Sequence, residues 1–538
     1  MLDHHQEKIL AALARPDFYP HAVKALKLHQ THISIVALTG SYAYKVKKAV
    51  NLEFLDFTSL ARRKYYCRRE VILNRRASAG VYLGVVPITF DGDRYHLAGA
   101  GKPVEYAVKM RQLPDKLAML QLLRRGNLDR NAVAKLARVL AQFHQSASTD
   151  GAIDSIGGWS TIKTNVEENF RQTEPFVGNF IDLHMFQIIK AATRSFLMRH
   201  KPLFDRRVKQ KKIRDCHGDL RTEHIYFADG IQIIDCIEFN DRFRYSDITS
   251  DLAFLTMDLD YEDYPLVAQE LLSNYLLDTK DEELLLLLDF YKCYRACIRA
   301  KVNCFYLQAC RAATGRRKKL LAQTRRYLDL AYRYAVQFTR PGIWVVCGLP
   351  AAGKTSLAGA LSRILGVRIL HSDVVRKQLF GLPPDSHHVV PFAEGIYSEQ
   401  STALVYGKLL MMAQEEIKKG DSIILDATFA RCHQRDEALR LARDLDANIV
   451  FVECTASDKT IAHRLSIRGA SPSVSDARRH HLGQIRKRFE PFTDVPAEMH
   501  IGINTEISLP ECLQQILSHD YVMLAHQATA AMESRAIQ

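Results

Sequence analysis

No stretch of about 18 consecutive apolar residues occurs in this chain, so no membrane-spanning helix is predicted. The richest run, Leu284–Leu288, is far too short. The N-terminus lacks a signal-peptide core. Its apolar run is brief, follows acidic residues, and reads as an amphipathic helix that stops at Pro16. CxxC pairs are missing among the eleven cysteines, which argues against a thiolate metal site. Cys293, Cys297 and Cys304 recur at helical spacing among Tyr and Ala, as buried small hydrophobes would. Reduced thiols and a cytoplasmic location are therefore expected. Internal repeats and low-complexity tracts are absent. The basic runs, Arg206–Arg214 and Arg316–Lys319, carry no interleaved aromatics of the kind that stack nucleic-acid bases. They read as solvated faces.

What is present is an ordinary globular balance, 47% hydrophobic and 25% charged, over 538 residues. That length calls for two or more domains. The net charge of +14 suits an anionic partner such as a nucleotide, a phosphosugar, nucleic acid or acidic lipid, without choosing among them. Strands are expected over residues 33–47, in VYLGVVPITF and EYAVKMRQL, and in IQIIDCIEF. Helices are expected near residues 58–77, 115–145 and 163–200, and nearly throughout 247–338. Pro341–Gly342 breaks that helical stretch, and strands then alternate with helices as in a parallel α/β sheet. The expected division is residues 1–338, then 339–520, then a polar, Ala-rich tail 521–538 that reads as a loose helix.

Gly348-Leu-Pro-Ala-Ala-Gly353-Lys354-Thr355 fits GxxxxGK[ST], between the apolar strand IWVV and the helical SLAGALSRIL. Glycines there let backbone N–H groups turn towards phosphate oxygens, and the helix N-terminus favours an anion. Gly348, Gly353, Lys354, Thr355 and Ser356 are the candidate nucleotide contacts. Lys354 would neutralise the β/γ-phosphates and Thr355 would ligate Mg²⁺. Asp426, ending the strand before ATF, is a second candidate for the Mg²⁺ shell. Asp373 ends another strand, where it either handles an acceptor hydroxyl or caps the next helix. Arg464 and Arg468 lie four residues apart on one helix, either as stabilisers of transition-state charge or as a solvent-facing stripe.

Through GLPAAGKT, HSDVVR, LDATF and the segment ending in FEPF, residues 343–500 resemble the small P-loop kinases. That group includes gluconate-kinase-like, polynucleotide-kinase-like and zeta-toxin-like enzymes. Its acceptors vary, so the resemblance implies ATP and Mg²⁺ but no acceptor.

The other half carries His217-Gly218-Asp219-Leu220, then Asp235 at the end of IQII. One loop carboxylate to accept a hydroxyl proton and a second to bind Mg²⁺ is what a protein-kinase-like site requires. Lys45 on a strand and Glu70 on the following helix could orient α/β-phosphates, with Lys47 a rival for Lys45. Glu238 could add a metal or structural contact. YAYKVKKAVNLEFLDF, EYAVKMRQLP, HGDLRTEHIYF, IIDCIEFND and SDITSDLAFLTMDL together resemble the aminoglycoside-phosphotransferase-like kinase fold. The resemblance implies a bilobal α+β domain, Asp219 as base, Asp235 as metal ligand, Asp251 as a support for the loop, and EYAVKM as the hinge beside adenine. That family commonly has Asn five residues after the base, as a Mg²⁺ ligand. Here His224 stands there, a poorer ligand for a hard cation. No clear Gly-rich phosphate loop is found, Thr39-Gly40-Ser41 being only a turn.

The order of the modules resembles a bacterial bifunctional family that joins such a domain to an AAA-type ATP-binding domain. The expected activity is ATP-dependent phosphoryl transfer to a small hydroxylated molecule. The alternatives are a nucleotide-sensing protein with an N-terminal pseudokinase, and a nucleic-acid 5′-hydroxyl kinase. Antibiotic resistance is not implied, since the acidic pocket that drug-inactivating members use has no obvious counterpart in this net-basic chain.

Overall fold

The computed structural model describes residues 4–536 except 53, 282, 310–314, 384–393 and 469–481. The chain divides into two compact units. One comprises residues 1–182, 197–279 and 294–330, the other residues 183–196, 280–293 and 331–538.

The first unit is a bilobal, protein-kinase-like α+β fold. Helix α1 (His4–Leu13) precedes strands β1 (Lys27–Gln30), β2 (Ser34–Leu38) and β3 (Tyr42–Lys47). Helix α2 (Leu60–Ser78) follows, then β4 (Tyr82–Phe90), β5 (Tyr95–Leu97) and β6 (Lys102–Arg111). The six strands form one antiparallel sheet in the order β1-β2-β3-β6-β4-β5. Alternation decides which face each residue of YAYKVK serves. Tyr44 and Val46 pack with Ile9 and Leu13 of α1, whereas Ala43 packs with Cys67 and Val71 of α2. Lys45 and Lys47 share Ala43's parity, so both lysines are carried on the α2 side. The β2–β3 turn needs glycine. Gly40 has φ +90°, and a Cβ there would lie 2.9 Å from the Lys24 Cβ.

EYAVKM, the segment expected beside adenine, lies inside β6, and the chain leaves the sheet at Gln112–Pro114. The lower lobe contains α3 (Arg130–Ser146), the short strands β7 (Ile213–Asp215), β8 (Ile225–Tyr226), β9 (Gln232–Ile233) and β10 (Tyr245–Asp247), and helices α4 (Ile248–Tyr261) and α5 (Pro265–Thr279). Helix α6 (Leu284–Ala309) follows. The strand expected over IQIIDCIEF shrinks to β9, because Asp235 adopts φ +66° and ends the extended run. Arg207 also departs from expectation. It lies not on a solvated face but fully buried, donating twice to Asp247 at 2.8 Å and once to Thr249 at 3.1 Å.

The second unit is a parallel five-stranded P-loop sheet. Strand β11 (Gly342–Gly348) leads to α7 (Lys354–Leu365), β12 (Arg368–His371), α8 (Ser372–Leu379) and α9 (Glu399–Lys418). Then come β13 (Ile423–Asp426), α10 (Cys432–Asp444), β14 (Asn448–Thr455), α11 (Asp458–Arg468), β15 (His500–Asn504) and α12 (Leu509–Ala536). The order is β12-β13-β11-β14-β15, all parallel. Strand β11 is central and buried on both faces, which is why its sequence is an unbroken apolar run. Ile343, Val345 and Cys347 enter one core, and Trp344 and Val346 the other. The chain has two tryptophans, one in each unit. The Trp159 Nε1–H donates to the Leu197 carbonyl at 2.8 Å, with Lys163 and Lys201 over its ring. Trp344 is enclosed in the sheet core.

Among the described residues, no helix is long and apolar enough to cross a membrane. Cys293, Cys297 and Cys304 are buried, and every described cysteine is a free thiol.

Candidate functional site

In the second unit, the turn after β11 is held in a shape that few residue types permit. Gly348, Ala351 and Gly353 have φ of +122°, +61° and +97°. A Cβ on Gly348 would sit 2.4 Å from the Cys454 carbonyl of β14. Lys354, at the first position of α7, donates to the Leu349 carbonyl at 2.9 Å. The Thr355 hydroxyl donates to Asp426 at 2.7 Å, and Asp426 also lies 2.8 Å from His371 Nδ1. Because β11, β12 and β13 run parallel, Thr355, His371 and Asp426 meet at the carboxyl ends of adjacent strands, where α/β sheets place their ligands. The two oxygens of Thr355 and Asp426 suit a hard divalent cation.

Asp373 lies in the first turn of α8, while the capping position is His371, so the helix-cap reading is not what forms. Arg464 points into the turn. It donates to the Thr505 hydroxyl and carbonyl, each at 2.9 Å, and to the Ala351 carbonyl at 3.4 Å. Thr505 in turn donates to the Ala352 carbonyl at 2.7 Å. Arg468 is the last residue of α11, and its side chain lies outside the described residues. Beside the turn opens a cleft of about 410 Å³, lined among others by Gly353, Ser356, Arg464, Thr505, Ile507 and Leu509. His371 and Thr505 were not singled out from the sequence.

In the first unit, Lys45 Nζ sits between Glu70 at 2.9 Å and Asp235 at 2.5 Å. Lys47 bonds the other Glu70 oxygen at 2.7 Å and also bonds Glu238. The two lysines differ in reach. Both hold Glu70, but only Lys45 extends to Asp235, and Glu238 serves Lys47. Burial would raise the Glu70 pKa, but Lys45 and Lys47 hold it below the ordinary carboxylate range; burial leaves Glu238 raised. Burial likewise opposes ionisation of Asp235, and Lys45 and His224 outweigh it, so Asp235 stays charged.

The HGD loop is tied from below. The N–H groups of His217 and Gly218 donate to the two oxygens of Asp251 at 2.6 and 2.8 Å, the supporting part expected of Asp251. Burial pulls the His217 pKa down to about 4, so its ring is neutral at pH 7, with Nε2–H on the Ile234 carbonyl at 3.0 Å. Asp219 receives Arg221 as a fork at 3.0 and 3.1 Å. Burial would raise the Asp219 pKa, but Arg221 and then His224 hold it below the usual range. His224 Nδ1 bonds the Asp219 carbonyl at 2.8 Å, so that nitrogen carries the proton. Its Nε2 lies 3.3 Å from Arg221 and 3.7 Å from Asp235. Asp219, His224, Asp235, Lys45 and Glu70 therefore form one cluster. The Arg221 fork and Lys47–Glu238 pair were not anticipated.

Residues 343–492 match the family model described as an AAA domain. The uncharacterized protein Rv2004c of Mycobacterium tuberculosis is 31% identical over 454 residues, 84% of this chain and 88% of that protein. Among solved structures, the GDP complex of wild-type aminoglycoside 2'-phosphotransferase-IIIa is similar over 61% of this chain and 97% of its own, with 14% identity and a TM-score of 0.37. A gluconokinase from Sinorhizobium meliloti is similar over 36% of this chain and 97% of its own, with 16% identity and a TM-score of 0.26.

Proposed function

The chain belongs to the same family as the Mycobacterium tuberculosis protein Rv2004c, and on that premise we propose that it is an ATP-dependent phosphotransferase for small hydroxylated acceptors. The observation that carries this reading is the Thr355–Asp426 contact of 2.7 Å beside a turn built of left-handed backbone. In this reading Gly348, Gly353 and Lys354 hold the triphosphate, and the cleft by Ser356 and Thr505 takes the nucleobase. Thr355 and Asp426 would hold Mg²⁺, which when bound would neutralise phosphate charge. Asp373 orients the acceptor hydroxyl. Arg464 stands where it can exchange its carbonyl partners for developing negative charge. Arg468 is a further candidate for that role.

The N-terminal cluster is a second phosphoryl-transfer site. Lys45, fixed by Glu70, orients the nucleotide phosphates. Asp235 and His224 are the candidate Mg²⁺ ligands, and Asp219 takes the proton of the attacking hydroxyl. That hydroxyl oxygen bonds to the γ-phosphorus as the bond to the β-bridging oxygen breaks. ADP leaves with the electron pair, and the proton passes to Asp219.

A second reading, a nucleotide-sensing N-terminal pseudokinase, is favoured by the Arg221 fork on Asp219 and by His224 at the metal position. Lys354→Ala and Asp219→Ala, tested separately in the full chain, decide between them. Loss of separate ATP-dependent activities supports two kinases. Loss with Lys354→Ala alone supports the pseudokinase, and no loss with either refutes both readings of catalysis.

A further inference from the structure

Helix α6 presents Arg295, Arg299 and Asn303 at four-residue spacing, hence along one face. Arg295 and Asn303 are 5% and 6% exposed. The Arg295 Nε, Arg299 Nε and Asn303 Nδ2 atoms are buried and have no hydrogen-bond partner among the described residues. Arg295 reaches one hydroxyl, donating to Ser250 Oγ at 3.0 Å. Among those residues, neither arginine has a carboxylate within ion-pair distance, in contrast to Arg221, whose charge is met by Asp219 and Glu223.

The guanidinium groups converge. Arg221 and Arg295 lie over the same Phe254 ring, 5.9 and 4.7 Å from its centroid. Arg299 lies 5.7 Å from the Tyr327 centroid, and its charge helps hold both Asp219 and Glu223 ionised. A buried guanidinium such as Arg295 with no carboxylate among the described residues bonded to it is costly, and a planar fork matches the oxygens of a phosphate or carboxylate. We propose that the acceptor of the N-terminal site carries its own anionic group, bound by Arg295 and Arg299, while its hydroxyl is presented to Asp219. This rests on the reading of Asp219 as the base, and it makes the substrate an anionic polyol, opposite in charge to an aminoglycoside.

The test uses the full chain carrying Lys354→Ala, so that turnover reads the N-terminal site. ADP release is followed with four probes on one carbon skeleton: glucose, glucosamine, gluconate and glucose 6-phosphate. Gluconate or glucose 6-phosphate is expected to exceed glucose at least about tenfold in kcat/KM, with glucosamine lowest, and the two anionic arms separate carboxylate from phosphate. Arg295→Gln and Arg299→Gln should each remove about tenfold to a hundredfold of that advantage through KM, leaving the KM for ATP unchanged, with partial rescue by Arg299→Lys. Inorganic phosphate titrated calorimetrically into the same background should bind, and Arg299→Gln should weaken it at least about tenfold. Preference for glucose or glucosamine, or phosphate binding indifferent to both arginine substitutions, overturns the proposal. Absence of turnover with every probe, alongside phosphate binding that needs Arg299, removes the kinase reading while leaving the anion site standing.

Discussion

Replacing Gly348 with alanine tests whether the turn after β11 is a rigid cradle. Two costs combine there. At φ +122° an L-residue is strained, and the new Cβ would stand 2.4 Å from the Cys454 carbonyl, a main-chain atom that cannot swing aside. Left-handed strain costs about 1–2 kcal/mol, and forcing atoms into a packed site adds about 1–3 kcal/mol. Gly366 provides the control. It also has positive φ, +69°, but nothing lies within 4 Å of its would-be Cβ, so only the strain remains. Gly348→Ala should therefore cost about 2–5 kcal/mol, and Gly366→Ala about 1–2 kcal/mol. The assay is the Tm of the second unit's unfolding transition, together with the calorimetric affinity for ATP, the nucleotide proposed above. Each kcal/mol moves Tm by about 2–4 °C in a unit of this size. Relief of the clash must reshape the turn, so ATP affinity should fall more than about tenfold with Gly348→Ala and stay near wild type with Gly366→Ala. Equal Tm losses, or unchanged ATP affinity with Gly348→Ala, would refute the argument.

Lys47→Met should destabilise the first unit by about 3–5 kcal/mol, since Glu70 and Glu238 lose a buried counter-charge; urea unfolding measures it. Asp251 bears on acid stability. Burial opposes its ionisation, but His144, His217 and the loop N–H groups bring its pKa down to about 2. Its folded pKa lies below its unfolded value, so its contribution, about 2–3 kcal/mol, is complete above about pH 4 and is lost as pH falls towards 2. Asp251→Asn should be less stable than wild type at pH 7, with the gap narrowing at pH 3 in urea midpoints; a constant gap contradicts this. If His224 is a Mg²⁺ ligand as proposed, His224→Asn replaces nitrogen with oxygen, and the Mg²⁺ concentration needed for half-maximal turnover at the proposed N-terminal site should drop by about severalfold, as a magnesium titration would read.

The P-loop was legible because its strand, turn and helix are consecutive and each has a local signature. Lys45, Glu70, Asp219 and Asp235, which the structure brings into one cluster, could be singled out for a related reason, since each lies in a short stretch with a local signature. What sequence reasoning missed lies at long range. Thr505 meets Ala352 across 153 residues, and nothing near Thr505 marks it as part of the turn. Lys47 meets Glu238 across 191 residues, and strand parity alone could not say which lysine reaches which carboxylate. Arg207 sits in a basic run that looks solvated, and only its buried partner Asp247 reveals otherwise. The IQIIDCIEF strand failed because apolar alternation carries no information about one left-handed residue at Asp235.

The placement of Trp159 and Trp344, one in each unit, gives the chain a built-in pair of optical reporters. With Trp159 changed to phenylalanine, the remaining indole is walled in by the parallel sheet, and its emission shifts to the red when that unit opens. With Trp344 changed instead, the remaining indole is flanked by Lys163 and Lys201 and follows the other unit. A single fluorimeter can then watch either half lose its structure, and tell which half a given nucleotide protects.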